Sequence, residues 1–204
     1  MTRVAIAGLG AIGRVVARRL ADGMPGLTLA CAAARDRAKA QAWLDAERIQ
    51  CPLVELEAFP DLADLAVECA PAGLLERICR PMLAAGKTVM VLSAGALLPH
   101  PDLIALAKLH GGQIIVPTGA LLGLARGHAD RPDAALGPER TRTEIWADPA
   151  LERNCHTIEV DADSARFTLT IENIPSENPK TGRITALSVL AALRKLHAPL
   201  RVGT

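Results

Sequence analysis

Residues 4–13 read V-A-I-A-G-L-G-A-I-G, an apolar run that ends on a glycine and passes at once into a helix-period pattern. No other stretch of this chain constrains its fold so tightly. The G-x-G-x-x-G spacing on Gly8, Gly10 and Gly13 gives each glycine a mechanical task. The first makes the tight strand-to-helix turn, the second lets backbone approach a pyrophosphate, and the third lets the helix pack closely on the strand. Ala11 and Ile12 fall in the first helical turn, where unpaired N–H groups and the positive end of the helix dipole face a bound anion. Glycine-rich turns also join strands to helices that bind nothing, so the spacing alone is weak. The flanking strand and helix supply the context the motif needs. Gly8, Gly10, Ala11, Ile12 and Gly13 are therefore the expected contacts to a dinucleotide cofactor, NAD or NADP.

With 204 residues, half of them hydrophobic, the chain has room for one large domain, or one full domain and a small one, around a real core. Net charge is +1, aromatics make up 2 %, and tyrosine is absent. A nucleic-acid surface needs a basic face and usually stacking rings, so that partner is not expected. No apolar run approaches membrane-spanning length and the first strand begins without a signal-like segment, so no membrane partner is expected either. The five cysteines (Cys31, Cys51, Cys69, Cys79, Cys155) are scattered, odd in number and never in C-x-x-C spacing. They point to reduced, mostly core residues in a cytoplasmic protein, with neither a disulfide framework nor a metal site.

From residue 3 to about 117, short apolar runs alternate with helix-period segments. Strands are expected at 4–9, 27–33, weakly at 53–56, and at 65–70, 88–92 and 113–116. Helices are expected after residue 10, over 37–48 and 72–85, and from Pro101. Strands apolar on both faces and separated by helices imply a parallel sheet covered on both sides, hence a doubly wound α/β (Rossmann) domain. The pattern lapses over residues 125–140, which read as a linker. Beyond it the grammar is antiparallel. A short strand is expected at 143–147. His156, Ile158 and Val160 then alternate with polar neighbours, as do Phe167, Leu169 and Ile171, giving a sheet with one dry face. A helix over about 185–196 follows, with Leu187, Leu190 and Leu193 at spacing three. The expected organisation is a dinucleotide-binding domain at 1–124, a linker at 125–140 and a small α+β domain at 141–204.

Several of these stretches together resemble the L-aspartate dehydrogenase family. They are G-L-G-A-I-G, V-L-S-A-G-A at 91–96, I-V-P-T-G-A at 115–120, R-N-C-H-T-I-E-V, E-N-P-K-T-G and A-L-S-V-L-A-A-L-R. The resemblance covers about residues 3–124 and 138–204, and its C-terminal motifs are more specific than the glycine loop. It implies NAD(P)-dependent oxidative deamination of L-aspartate to iminoaspartate and oxaloacetate, in nicotinamide cofactor synthesis. Family members carry a longer segment between the P-T-G-A loop and the E-I-W-A strand, with an asparagine that contacts the nicotinamide end. This chain has only the linker there. A relative that binds NAD(P) without catalysis, or a related reductase with another substrate, therefore stands beside the dehydrogenase reading.

The resemblance places the catalytic histidine at His156 and gives Ala120 a contact to the nicotinamide ribose. From periodicity alone, His156 also fits a hydrogen-bonded core residue. Cys155 beside it is not a nucleophile paired with it, since neighbouring strand residues point to opposite faces. At the end of the second strand an acid usually takes the ribose hydroxyls and an arginine can accept a 2′-phosphate. Here Ala34 stands at the acidic position and Arg35 follows, which favours NADP slightly; an ordinary basic helix start fits the same residues. Asn178, Lys180 and Thr181 form a turn that either anchors a substrate carboxylate or caps the next helix. Finally, three short strands and one helix are too few to hide an apolar face and two edges, so a homodimer built through the C-terminal domain is expected.

Overall fold

The computed structural model describes residues 1–117, 142, 144, 150–161, 163, 166–174 and 183–200. Five strands form one parallel sheet: β1 (Thr2–Ala7), β2 (Leu27–Ala33), β3 (Leu65–Glu68), β4 (Thr88–Val91) and β5 (Gln113–Ile115), in the order β2-β1-β3-β4-β5. The expected strand at 53–56 is reduced to one parallel bridge, Ala32 to Leu53, while Leu56 starts a short 3-10 turn. That bridge extends the sheet beyond β2. Counted with it, the spatial order is the 3-2-1-4-5-6 of dinucleotide-binding folds, with its third strand vestigial.

Alternation along the strands divides the core into two layers. Val4 and Ile6 of β1, with Leu65, Val67 and Met90, face the helices α1 (Ala11–Ala21) and α2 (Arg37–Ala46) through Val16, Ala17, Leu20, Ala40 and Leu44. Ala5 and Ala7, with Ala66, Val89 and Val91, face the other way. There they meet Phe59 of the one-turn helix α3 (Phe59–Leu62), Ile78, Met82 and Leu83 of α4 (Leu75–Ala84), and Leu103 of α5 (Pro101–His110). Small residues on β1 let the helices of the second layer sit close. At the N-terminal edge of the sheet, Asp64 accepts from the Arg3 backbone N–H (3.0 Å), the Arg3 guanidinium (2.8 Å) and Lys87 (3.2 Å). These donors, Arg3 foremost, hold its carboxyl far below the usual carboxylate range.

Among the described residues the second sheet is an antiparallel pair, β6 (Asn154–Asp161) and β7 (Arg166–Asn173), in unbroken register from Asn154 opposite Asn173 to Asp161 opposite Arg166. The strand expected at 143–147 and the linker at 125–140 lie outside the described residues. The face expected to be dry is only partly covered: Ile158, Val160, Leu169 and Ile171 are half-buried and Phe167 is exposed.

The last helix, α6 (Arg183–Lys195), corrects another expectation. It is the element sequence offers to cover that face, yet Val189, Leu190 and Leu193 are buried in the first layer of the parallel-sheet domain, with Val16 and Leu20 of α1. Just beyond it, His197 Nε2 lies 2.8 Å from the Thr2 hydroxyl. Leu187, one position in the expected stripe, is 62 % exposed. The reason is geometric: a stripe at strict spacing three drifts around a helix of 3.6 residues per turn, so Leu187 and Leu193 cannot share a narrow face. Leu193→Ala is expected to lower the unfolding free energy by about 2–5 kcal/mol, and Leu187→Ala to change it by less than about 0.5 kcal/mol. Chemical denaturation of both variants checks this, and equal losses would contradict the docking of α6 on α1.

Candidate functional site

All five parallel strands end on one edge, and the loops leaving β1, β2, β3 and β4 meet there. Gly8 follows the last residue of β1 with φ +103°, a conformation L side chains rarely adopt. Its N–H donates to the Ala33 carbonyl at the end of β2 (2.8 Å). A Cβ on Gly8 would stand 2.6 Å from the Cys69 carbonyl oxygen, in the loop after β3. At Gly13 a Cβ would fall 1.9 Å from the Gly8 carbonyl oxygen and 3.4 Å from Ile6. Both positions are closed to any side chain by backbone that cannot step aside.

Gly10 is the opposite case, since nothing lies within 4 Å of where its Cβ would be. The fold does not need a glycine there, and the open space is what a pyrophosphate against the backbone requires. Gly10 is also the N-cap of α1 and offers no side-chain cap. The first helical bond runs from Arg14 N–H to the Gly10 carbonyl (3.0 Å). The N–H groups of Ala11, Ile12 and Gly13 therefore precede the intrahelical ladder and suit an anion. The residues present fit a dinucleotide cofactor.

At the end of β2, Asp36 is already committed: its carboxylate accepts from Lys39 N–H (2.9 Å) and caps α2. Arg37 is committed too, to Glu55 (2.9 Å) and the Leu53 carbonyl. Arg35 is exposed and makes no hydrogen bond or ion pair among the described residues. The structure thus brings Gly8, Gly10, Ala11, Ile12, Gly13 and Arg35 to one edge of one sheet. Ala120, Asn178, Lys180 and Thr181 lie outside the described residues.

His156 stands on the other sheet. It is exposed, opposite Ile171, on the face that carries Ile158, Val160, Leu169 and Phe167. No hydrogen bond fixes its ring among the described residues. Cys155 lies opposite Glu172 in a ladder without a bulge, so the two side chains point to opposite faces. Sequence reasoning missed two buried polar residues. Glu68 closes β3 fully buried and accepts from Leu92 N–H, Ser93 N–H and the Ser93 hydroxyl. Burial pushes its carboxyl up, against the pull of those donors. Asn173 closes β7 and is buried, with its Oδ1 unpartnered among the described residues. A charged residue at the end of an otherwise apolar strand, L-A-V-E, was the signal for Glu68, because acids are rarely fully buried without a task.

The contrast between glycines yields a test. Gly10→Val is expected to lower the melting temperature only slightly, since valine caps a helix less well than glycine, and to lose NAD(P)+ binding, measured by calorimetry. Gly13→Ala is expected to lower the melting temperature sharply, because a Cβ there meets the Gly8 carbonyl. Unchanged binding in Gly10→Val would remove the pyrophosphate from this loop.

Comparison with known proteins agrees with this geometry. Residues 8–117 match the family described as homoserine dehydrogenase, NAD binding domain, and residues 133–196 match aspartate dehydrogenase, C-terminal. The chain is 42 % identical to an L-aspartate dehydrogenase of Bradyrhizobium diazoefficiens, over 99 % of this chain and 94 % of the relative. It is 41 % identical to L-aspartate dehydrogenase 3 of Bordetella bronchiseptica, over 98 % and 97 %. The first alignment spans 264 positions against a chain of 204, so at least 60 positions of it have no counterpart here. The crystal structure of aspartate dehydrogenase from Thermotoga maritima shares the fold, with a TM-score of 0.72 at 18 % identity over the whole of both chains. With its cofactor cradle built for NAD(P), this chain belongs to the L-aspartate dehydrogenase family.

Proposed function

We propose that this chain is an NAD(P)-dependent oxidoreductase for L-aspartate whose cofactor half is complete and whose substrate half is shortened. It binds cofactor well and turns aspartate over slowly. The observation that carries this reading is a glycine cradle closed at Gly8 and Gly13 but open at Gly10, in a chain 42 % identical to an L-aspartate dehydrogenase. When bound, the cofactor supplies a hydride acceptor at the edge of the sheet. The protons of amine oxidation and of water addition need a separate group. An imidazole is the side chain suited to move them near neutral pH, and we assign that role to His156. Ala120 is assigned to the nicotinamide ribose on the family resemblance.

Slow turnover follows from the shortfall of at least 60 positions, which we place between the two matched regions. The division into a cofactor domain at 1–124, a linker at 125–140 and a small second domain at 141–204 rests on the same pattern. We assign Arg35 to the 2′-phosphate of NADP. Asp36 and Arg37 are both engaged elsewhere, so neither an acid nor a second arginine competes for that end of the cofactor. We also propose a homodimer through the second sheet, supported by its half-covered apolar face and the 41 % exposure of Phe167. A cytoplasmic location is supported by five free cysteines. No helix of the described residues is long and apolar enough to cross a membrane.

Purified protein tests the reading directly. NADP+ is expected to bind at least as tightly as NAD+ in calorimetry, and Arg35→Ala to erase that preference; an unaltered preference would free Arg35 of the role. Aspartate-dependent NAD(P)H formation is expected far below the enzyme median of about 10 per second. His156→Ala is expected to lower it by a further two to four orders of magnitude, roughly the span of general acid–base help, with cofactor affinity and melting temperature kept. Normal kinetics in that variant would exclude the catalytic role. Sedimentation of a stable monomer would exclude the dimer.

A further inference from the structure

The sheet order assigns the two halves of the cofactor to different strands. The residue that reads the adenosine ribose stands at the end of β2, where Arg35 is, and the pyrophosphate loop follows β1. The half of the cofactor beyond the pyrophosphate must then extend the other way, over the ends of β3 and β4. The loop leaving β4 carries Ser93, Ala94, Gly95 and Ala96, small enough to lie close under a ligand. Its first turn is not held by its own side chains, because Ser93 caps the 3-10 turn Ala94–Leu97 without a side-chain hydrogen bond. Glu68 holds it instead. Leu92 N–H (3.0 Å) and Ser93 N–H (2.8 Å) both donate to Glu68 Oε2, and the Ser93 hydroxyl donates to Oε1 (3.0 Å).

One fully buried carboxylate thus binds two consecutive residues at the point where the chain leaves β4. Burying an acid is costly, and an apolar side chain would continue the L-A-V pattern of β3 without that cost. The position also adjoins the cofactor loop: the next residue, Cys69, has its carbonyl against Gly8. Resting on the cofactor reading above, we propose that Glu68 is a positioning residue that shapes the Leu92–Ser93 turn as the seat for the nicotinamide half of NAD(P). It acts through its hydrogen bonds and does not touch the cofactor.

Glutamine can reproduce this arrangement. Its carbonyl accepts from both backbone N–H groups and its amino group donates to the Ser93 oxygen. ADP provides the control ligand, because it carries the adenosine and pyrophosphate but nothing that reaches β4. Calorimetry with ADP and with whichever of NAD+ and NADP+ binds tighter is run on wild type, Glu68→Ala, Glu68→Gln and Ser93→Ala, with melting temperatures alongside. Glu68→Ala is expected to weaken the dinucleotide about tenfold, on the order of one lost hydrogen-bonding group, and to leave ADP within about twofold. Glu68→Gln is expected to restore the dinucleotide to within about threefold of wild type. If Glu68→Ala does not fold, Ser93→Ala carries the test, with a loss of about threefold for the dinucleotide and none for ADP. Equal weakening of both ligands, or no weakening of the dinucleotide, overturns the proposal. A wild-type chain that binds neither ligand overturns the cofactor reading beneath it, an outcome separate from any effect of Glu68.

Discussion

Gly8 joins β1, β2, the loop after β3 and α1 at a single backbone turn. Its left-handed turn ends β1, and its N–H reaches β2 through Ala33. The loop after β3 fills the space where its side chain would be, and its carbonyl fills the space at Gly13 where α1 passes. Three strands and a helix are therefore locked in register around one backbone turn. That locking aims the N-terminus of α1 at open space above Gly10. A cofactor cradle of this kind is rigid before any ligand arrives, which is how a site avoids losing binding energy to ordering. The same closeness makes Gly8 and Gly13 structural necessities, and leaves Gly10 as the glycine kept for a ligand.

The two sheets differ in what they can support alone. The parallel sheet is buried on both faces, and the chain comes back to it at the end, when α6 places Val189, Leu190 and Leu193 in its core. Both ends of the second half are thus anchored to one core, the first leaving after β5 and the last returning at α6. On the placement proposed above, the shortfall lies between these two anchored points and costs the core little. It costs the second sheet much more, because among the described residues that sheet is the β6–β7 pair with a half-covered apolar face. Two strands by themselves are marginal in water. On the function proposed above the consequence is asymmetric: cofactor binding depends on the intact half, and turnover on the reduced one, where reacting groups must be held within fractions of an ångström.

Much of this was legible in the sequence because the governing signals are local. Strand 27–33 and the glycine loop follow from periodicity and from the glycine spacing, with Gly8 in a conformation side chains rarely adopt. β1 closes at Ala7, two residues before the apolar run does, because hydropathy does not register the turn at Gly8. The strand expected at 53–56 shrank to a bridge, since three apolar residues in four do not say whether a neighbour is within reach. Long-range choices were the least legible. The docking of α6 on α1, instead of on the second sheet, depends on which of two apolar surfaces lies nearer in space, and the helix stripe fits either. Glu68 was visible as an anomaly in L-A-V-E, but its partners lie 24 and 25 residues away, a pairing only the β3–β4 register creates. Arg35 was legible as a charge; that Asp36 and Arg37 are engaged elsewhere was not.

The central claim is that this chain seats a dinucleotide across the C-terminal edge of its parallel sheet, from Arg35 through the glycine loop to Ser93. Hydrogen–deuterium exchange with and without saturating NADP+ reads that edge in one measurement. The account predicts slowed exchange at residues 8–13, 34–36 and 92–94, with no change at Arg3, Asp64 and Thr88 on the opposite edge. Protection that is absent, or that falls on the opposite edge, would contradict it.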